Sequence, residues 1–433
     1  MRPGGLGGRE PRARRHAGGG AQLRGSAGPF RGRRAGPFLA PPLPGEGHAR
    51  CRHESHRLRG RRAAFPEGGK GSLRVHSICA RLQYGDAVTN QVLSIHQRVK
   101  SWGWESHVYA TSNDERMEEV NEGLRTYRKK YAHERGDILI YHYSIYDENY
   151  GHYLESKNRK VLVYHNITPP EFFAPYDPFL TEACRKGREL LPRLTQCELA
   201  LGDSEFNRRE LVEAGFEEKN TGVLPIFVDI EAMGGEYNAA LCERLSSPGM
   251  VNLLFVGRLV PNKRVEDLLD IFALYHRRVN ACSRLFLVGT TWSMAYNLEL
   301  AARIKRHGLE GSVYIPGLSW GVSDEDLRAY YRAAHLFVTC SLHEGFCVPL
   351  LESMRFRLPV LARESSAIPY TLGGAGVTFR ELDLPVLAEA VRELTENREL
   401  REALAEKGER RLRDFAPEKT ERTLRDHLEK LAR

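Results

Sequence analysis

The chain has 433 residues, 41% hydrophobic and 28% charged, and a formal net charge of +8. Residues 1–70 hold 16 Lys and Arg against 4 Glu, a net +12, so the other 48 basic and 52 acidic residues leave the body at −4. That sign denies the body a general basic footprint and argues against a nucleic-acid partner. No run approaches the ~18 consecutive apolar residues of a membrane span.

Residues 1–70 are rich in Arg, Gly and Pro and lack the periodic apolar spacing a core needs. No uninterrupted apolar segment reads as a signal peptide. With only Phe30, Phe38 and Phe65 as aromatics, regular interleaving for RNA is missing too. The stretch is expected to be a disordered, dispensable extension, as from a start codon placed too far upstream. What remains exceeds one hydrophobic core and fits two domains.

In residues 71–230, Leu73–Cys79 reads as the first strand, followed by the loop and helix start Tyr84-Gly85-Asp86-Ala87-Val88-Thr89-Asn90. Asp86 or Thr89 is placed to cap that helix. Further strands are expected at His107–Ala110, Ile138–Tyr143, Val161–Tyr164 and Leu199–Leu201. Two of them end in a histidine, His142 and His165, and a third leads into Asp203-Ser204-Glu205, where Ser204 reads as a helix cap. No G-x-G-x-x-G is present, so a dinucleotide fingerprint is absent. The exposed-looking cluster Arg125, Arg128, Lys129 and Lys130 reads as a solvated helix face, with anionic lipid as the alternative.

A hinge is expected near Pro225–Gly249, with residues 231–249 as linker. In residues 250–416 strands are expected at Val251–Val256, Leu285–Val288, Val313–Ile315, Leu336–Cys340, Pro359–Ala362 and Val377–Phe379, with helical periodicity between them. Alternation of this kind implies a parallel, doubly wound sheet, which binds ligands beyond the carboxyl ends of its strands. One such end is Gly257-Arg258-Leu259-Val260-Pro261-Asn262-Lys263-Arg264, where cations can grip a diphosphate. Another is His343-Glu344-Gly345-Phe346-Cys347-Val348-Pro349, a strand–glycine–helix junction whose free N–H groups favour phosphate. Carboxylates repel phosphate, so Glu344 and, two turns into the helix, Glu352 suit sugar hydroxyls. Together these features indicate a nucleotide-sugar site. Asp324-Glu325-Asp326 has a metal-like D-x-D form, but it follows Ser323 and reads as a capped helix start. The eight cysteines contain no C-x-x-C and no zinc spacing, a usage that suits a reducing cytoplasm. Residues 417–433 read as a helix with Leu424, Leu428 and Leu431 on one face.

In this order, GRLVPNKR (257–264) and HEGFCVPLLES (343–353) resemble the retaining glycosyltransferases of family 4, whose fold is GT-B. The resemblance covers about residues 73–430. It implies two Rossmann-like α/β domains facing across a cleft, and a last helix crossing back to the first domain. It also implies that Arg258 and Lys263 hold the donor pyrophosphate and that Glu344 binds the transferred sugar. Gly345, Phe346 and Cys347 would lie at the phosphate cradle, and Glu352 at the ribose. Gly85-Asp86 would face donor and acceptor, and His142 would contact sugar. The implied reaction moves a hexosyl unit from a UDP- or GDP-sugar to a sugar, lipid-linked or small-molecule acceptor. It uses no metal or cofactor and takes place in the cytoplasm or at the inner membrane face. An epimerase or hydrolase of the same fold, or a silent sugar-binding scaffold, is the alternative. Two stretches depart from the pattern: Tyr370 stands where many members carry Glu, and Ile145-Tyr146-Asp147 lacks a small Gly-Ser.

Overall fold

Parallel strands covered on both faces must be apolar on both, and the runs of Val, Ile, Leu, Phe and Tyr along this chain meet that condition. The computed structural model describes residues 73–433 except 84 and 320. The expected extension, residue 84 of the first loop and Cys51 lie outside the described residues.

The first sheet contains β1 (Arg74–Leu82), β2 (Glu105–Asn113), β3 (Ile138–Tyr143), β4 (Arg159–Tyr164), β5 (Leu199–Gly202) and β6 (Thr221–Val223). Its order is β2-β1-β3-β4-β5-β6 and its pairings are parallel. The direction of winding therefore reverses between β1 and β3. The short strand β6 is not among the expected ones; its three residues, Thr-Gly-Val, are half-buried at the sheet edge and carry no run of apolar side chains.

The second sheet contains β7 (Val251–Val256), β8 (Ser283–Val288), β9 (Val313–Tyr314), β10 (Leu336–Thr339), β11 (Val360–Arg363) and β12 (Val377–Phe379). Its order, β12-β11-β10-β7-β8-β9, reverses between β7 and β10. These are the two doubly wound α/β domains of the GT-B architecture. Ligands of such sheets bind where the winding reverses. Here that point joins the ends of the strands leading to Gly257-Arg258 and to His343-Glu344.

One face of the first sheet buries Val75, Ile138, Ile140, Val161, Val163, Leu199 and Leu201 against Ile95 and Val99 of the helix Ala87–Ser101. The same layer takes Leu424 and Leu428 of the last helix, Pro417–Ala432, which are 1% and 0% exposed. Each such leucine contributes about 1.5–3 kcal/mol by leaving water. At its first turns the helix is pinned by Trp102, whose indole N–H donates to Glu421 at 2.9 Å. Across the domain seam, Phe173 meets Trp292 edge-on at 5.1 Å and Tyr176 meets Tyr296 at 5.3 Å. No helix among the described residues is long and apolar enough to cross a membrane.

Candidate functional site

At the end of β7 the chain turns through Gly257 (φ 148°), and Gly289 (φ 152°) sits above it at the end of β8. A Cβ on Gly289 would fall 2.0 Å from the Gly257 carbonyl oxygen, so this approach requires glycine at 289. Arg258 follows, exposed and without a hydrogen-bond or ion-pair partner among the described residues. Arg264 is unlike it: its guanidinium is spent on Asp267, at 2.7 and 3.0 Å, and on Glu266. Between them Asn262 ties this loop to the next one. Its side-chain N–H donates to the His343 carbonyl at 2.9 Å, and its own carbonyl accepts from Leu342 N–H at 2.9 Å.

That stitch brings Lys263 to Glu344, ammonium to carboxylate, at 2.5 Å. The Glu344 N–H donates to Ser366 Oγ at 2.8 Å, which fixes the loop from the β11 side. The N–H groups of Gly345, Phe346 and Cys347 have no acceptor among the described residues. Cys347 takes a left-handed conformation (φ 70°, ψ 66°) just before the helix Val348–Arg355, with Pro349 in its first turn. This geometry turns unpaired N–H groups and the positive end of the helix dipole toward one place, an anion cradle. The Cys347 thiol is pushed well above its usual range, first by burial and then by the Glu344 carboxylate beside it. It is therefore a packed, protonated thiol. Phe346 is buried edge-on against Phe415.

Glu352 accepts from the Tyr331 hydroxyl at 2.5 Å. Burial raises its carboxyl above the ordinary range, an effect that the Tyr331 hydrogen bond offsets in part. Tyr331 itself stacks on Phe356 at 5.2 Å. Nearby, Ser323 Oγ accepts from Asp326 N–H at 3.1 Å, which makes Asp324-Glu325-Asp326 the first turn of a capped helix. Tyr370, the departure noted above, packs against Phe415 beneath the Arg411 guanidinium.

In the first domain Asp86 caps the helix Ala87–Ser101, accepting from Val88 N–H at 3.1 Å and Thr89 N–H at 3.3 Å. Thr89 instead accepts from Gln83 N–H at 2.8 Å. Gly85 is exposed beside this cap. His142 is fully buried. Its Nδ1 lies 3.0 Å from His165 Nε2, and His165 Nδ1 lies 2.9 Å from Asp203 Oδ2. His142 Nε2 and Asp203 Oδ1 have no partner among the described residues. Burial, with the neighbouring His165, pushes His142 far below the usual histidine range and keeps it neutral. Ser204 caps the next helix by accepting from Asn207 N–H at 3.3 Å.

The two halves of the site touch. A Cβ on Gly345 would fall 3.0 Å from the His165 carbonyl oxygen and 3.0 Å from Asn166 Cβ, so the loop presses on the end of β4. His343 stands edge-on to Phe206 at 5.8 Å. Its Nε2 is buried without a partner among the described residues, and burial holds its pKa at about 4. Lys263 and Glu344 thus meet just before the N–H groups of 345–347, with Arg258 earlier on the loop that carries Lys263 and the His142–His165–Asp203 row bordering Gly345. Glu352 lies one helix turn and more away, engaged by Tyr331. Tyr331, Ser366 and the stitching role of Asn262 have no local pattern in the sequence that marks them. His165 and Asp203 were visible as strand ends, but not as partners of His142. Among the described residues no group of His, Cys, Asp and Glu has the arrangement of a metal site.

Residues 247–411 match the model of the family described as glycosyl transferases group 1. The O-antigen chain mannosyltransferase B of Escherichia coli is 29% identical over 156 residues, 36% of this chain and 39% of that protein. The MMP alpha-(1->4)-mannosyltransferase of Mycolicibacterium hassiacum is 37% identical over 98 residues, 22% of this chain and 23% of its own length. The chain thus spans well under half the length of the curated relatives it matches. Among solved structures, Anabaena HepE in complex with UDP and glucose superposes with a TM-score of 0.65 at 16% identity, covering 83% of this chain and all of that one. WaaG, a glycosyltransferase involved in lipopolysaccharide biosynthesis, gives 0.61 at 15% identity, covering 81% of this chain and 98% of its own. At such identities the superpositions speak for the shared two-domain fold.

Proposed function

We propose that this chain, whose residues 247–411 match the model of the group 1 glycosyl transferases, moves a hexosyl unit from a nucleoside-diphosphate sugar to a hydroxyl acceptor with retention. The carrying observation is that, among the described residues, an unengaged cation, Arg258, follows β7 and unengaged N–H groups at 345–347 follow β10, the two strands between which the second sheet reverses its winding. Charge that develops on the departing diphosphate meets fixed donors there, which is the largest lever on such a barrier. The bond from the anomeric carbon to the diphosphate oxygen breaks. The acceptor oxygen bonds to that carbon from the same face, and its proton passes to the leaving phosphate.

In this reading Arg258, Lys263 and the helix start supply the positive charge without a metal. Glu344, held by Lys263, takes hydroxyls of the transferred sugar, and Glu352 takes the ribose. His142 contacts the sugar from the first domain, with the Gly85-Asp86 loop nearby. Mannosyl donors are the first to test, because relatives of this chain include mannosyltransferases by name. A lipid-linked acceptor at a membrane face suits the exposed Arg125, Arg128, Lys129 and Lys130, which form no ion pairs among the described residues.

Thermal unfolding with UDP, GDP, ADP and their sugar conjugates, for the chain and for Arg258→Ala, tests the donor site. A ligand at a hundred times its Kd adds about 2.7 kcal/mol to the folded state. A shift with one nucleotide family, lost in the variant, identifies the base, and the product anomer then tests retention. No shift with any nucleotide overturns the reading. Turnover of the donor at equal rate without acceptor would mark a hydrolase or epimerase instead.

A further inference from the structure

The sheet register places three side chains in a row. Cys79, His142, Val163 and Leu201 are direct partners across β1, β3, β4 and β5. His165 lies two residues beyond Val163, and Asp203 two beyond Leu201. Side chains alternate along a strand, so all three groups fall on the same face at the carboxyl edge. There they connect: Asp203 Oδ2 to His165 Nδ1 at 2.9 Å, and His165 Nε2 to His142 Nδ1 at 3.0 Å. The row ends in His142 Nε2, fully buried and without a partner among the described residues. Buried polar atoms in native proteins are satisfied almost always, so such an orphan calls for a water or ligand group.

We infer that His165 and Asp203 are positioning residues that hold His142 in the tautomer protonated on Nδ1, which makes Nε2 a fixed acceptor for a ligand hydroxyl. A carboxylate only accepts, so His165 Nδ1 carries the hydrogen. With one hydrogen on its ring, His165 offers a lone pair at Nε2, and His142 Nδ1 donates to it. The remaining nitrogen of His142 is left with a lone pair. It welcomes a hydroxyl or another donor and rejects a carbonyl or phosphate oxygen. Since Gly345 abuts the His165 carbonyl, this acceptor borders the Glu344 loop, where the sugar end of the donor lies in the reading above. The identity of the hydroxyl as a sugar's rests on that reading; the tautomer does not.

Long-range 1H–15N spectra of the chain labelled with 15N-histidine test the relay directly, with His142→Gln used only to assign the signals. The expected spectrum shows His142 neutral with Nε2 unprotonated. In Asp203→Asn the carboxamide N–H is expected to face His165 Nδ1, which sends the hydrogens the other way and leaves His142 with Nε2–H. That variant should bind the nucleoside diphosphate unchanged, yet transfer sugar about tenfold more slowly or worse, the loss of one ligand hydrogen bond. A wild-type spectrum with hydrogen on His142 Nε2, or with a cationic His142, overturns the inference even if Asp203→Asn does not fold. So does an Asp203→Asn protein whose His142 tautomer is unaltered. Should the expected tautomer appear in a chain that transfers no sugar, the relay stands and the proposed activity falls.

Discussion

The Lys263 ammonium and the Glu344 carboxylate meet at 2.5 Å between the loops that follow β7 and β10, largely shielded from solvent. Each is claimed by a different part of the proposed donor, the lysine by phosphate and the glutamate by sugar. Without ligand they neutralise one another. In the proposed reading, a diphosphate entering the cradle shares Lys263 with Glu344 and meets the repulsion of the carboxylate.

Glu344→Gln removes the competitor and the repulsion. The free nucleoside diphosphate is expected to bind about 5–10-fold tighter by calorimetry, the effect of about 1 kcal/mol of relieved repulsion. Transfer is expected to fall about 100-fold or more, because a preorganised contact to the reacting sugar is gone. Weaker nucleotide binding in the variant would show that the ion pair does not compete with the ligand.

Gly345→Ala puts a methyl group 3.0 Å from the His165 carbonyl and from Asn166 Cβ, at the seam between the domains. Backbone on one side and a buried side chain on the other leave little room to give. Denaturant unfolding should show a loss of about 1–3 kcal/mol, together with reduced transfer. A stability equal to that of the parent would mean that the loop is free to move off β4.

Asp147 accepts from Tyr141 Oη at 3.0 Å and Asn149 N–H at 2.7 Å, yet burial raises its pKa to about 6. A folded pKa above the unfolded value means that the folded state binds this proton more tightly. Its stabilising contribution is full below about pH 4 and is lost as pH rises through about 6. Asp147→Asn should therefore flatten the stability profile in that window and gain about 1–3 kcal/mol at pH 7–8 relative to the parent. Parallel pH profiles for the two proteins would exclude Asp147 as the titrating group.

If Arg258, Lys263 and the helix start carry the leaving-group charge, transfer should survive excess EDTA within about twofold. Full loss on chelation, restored by a divalent cation, would assign that charge to a metal instead.

The secondary structure was largely legible because its signals are local. Parallel strands such as Val251–Val256 and Ile138–Tyr143 need apolar residues on both faces, and they occur where continuous apolar runs stand. Caps are legible for the same reason: Ser323, Ser204 and Asp86 each bond to N–H groups two or three residues on. The strand Thr221–Val223 escaped because an edge strand of three half-buried residues needs no apolar run.

The residue types of the site were set by the sequence alone: a cationic loop after one strand, a Glu-Gly-helix junction after another, and two strand-end histidines. These follow from chain chemistry over a few residues. Their meeting was decided by tertiary structure. Lys263 reaches Glu344 because the winding of the second sheet reverses between β7 and β10. His142, His165 and Asp203 are separated by 23 and 38 positions, yet the parallel register sets them side by side. Tyr331 reaches Glu352 from another helix, with nothing in its neighbourhood to announce it. A local pattern dictates which groups a segment presents; long-range hydrogen-bonded register and helix packing dictate which of them share a proton or a ligand.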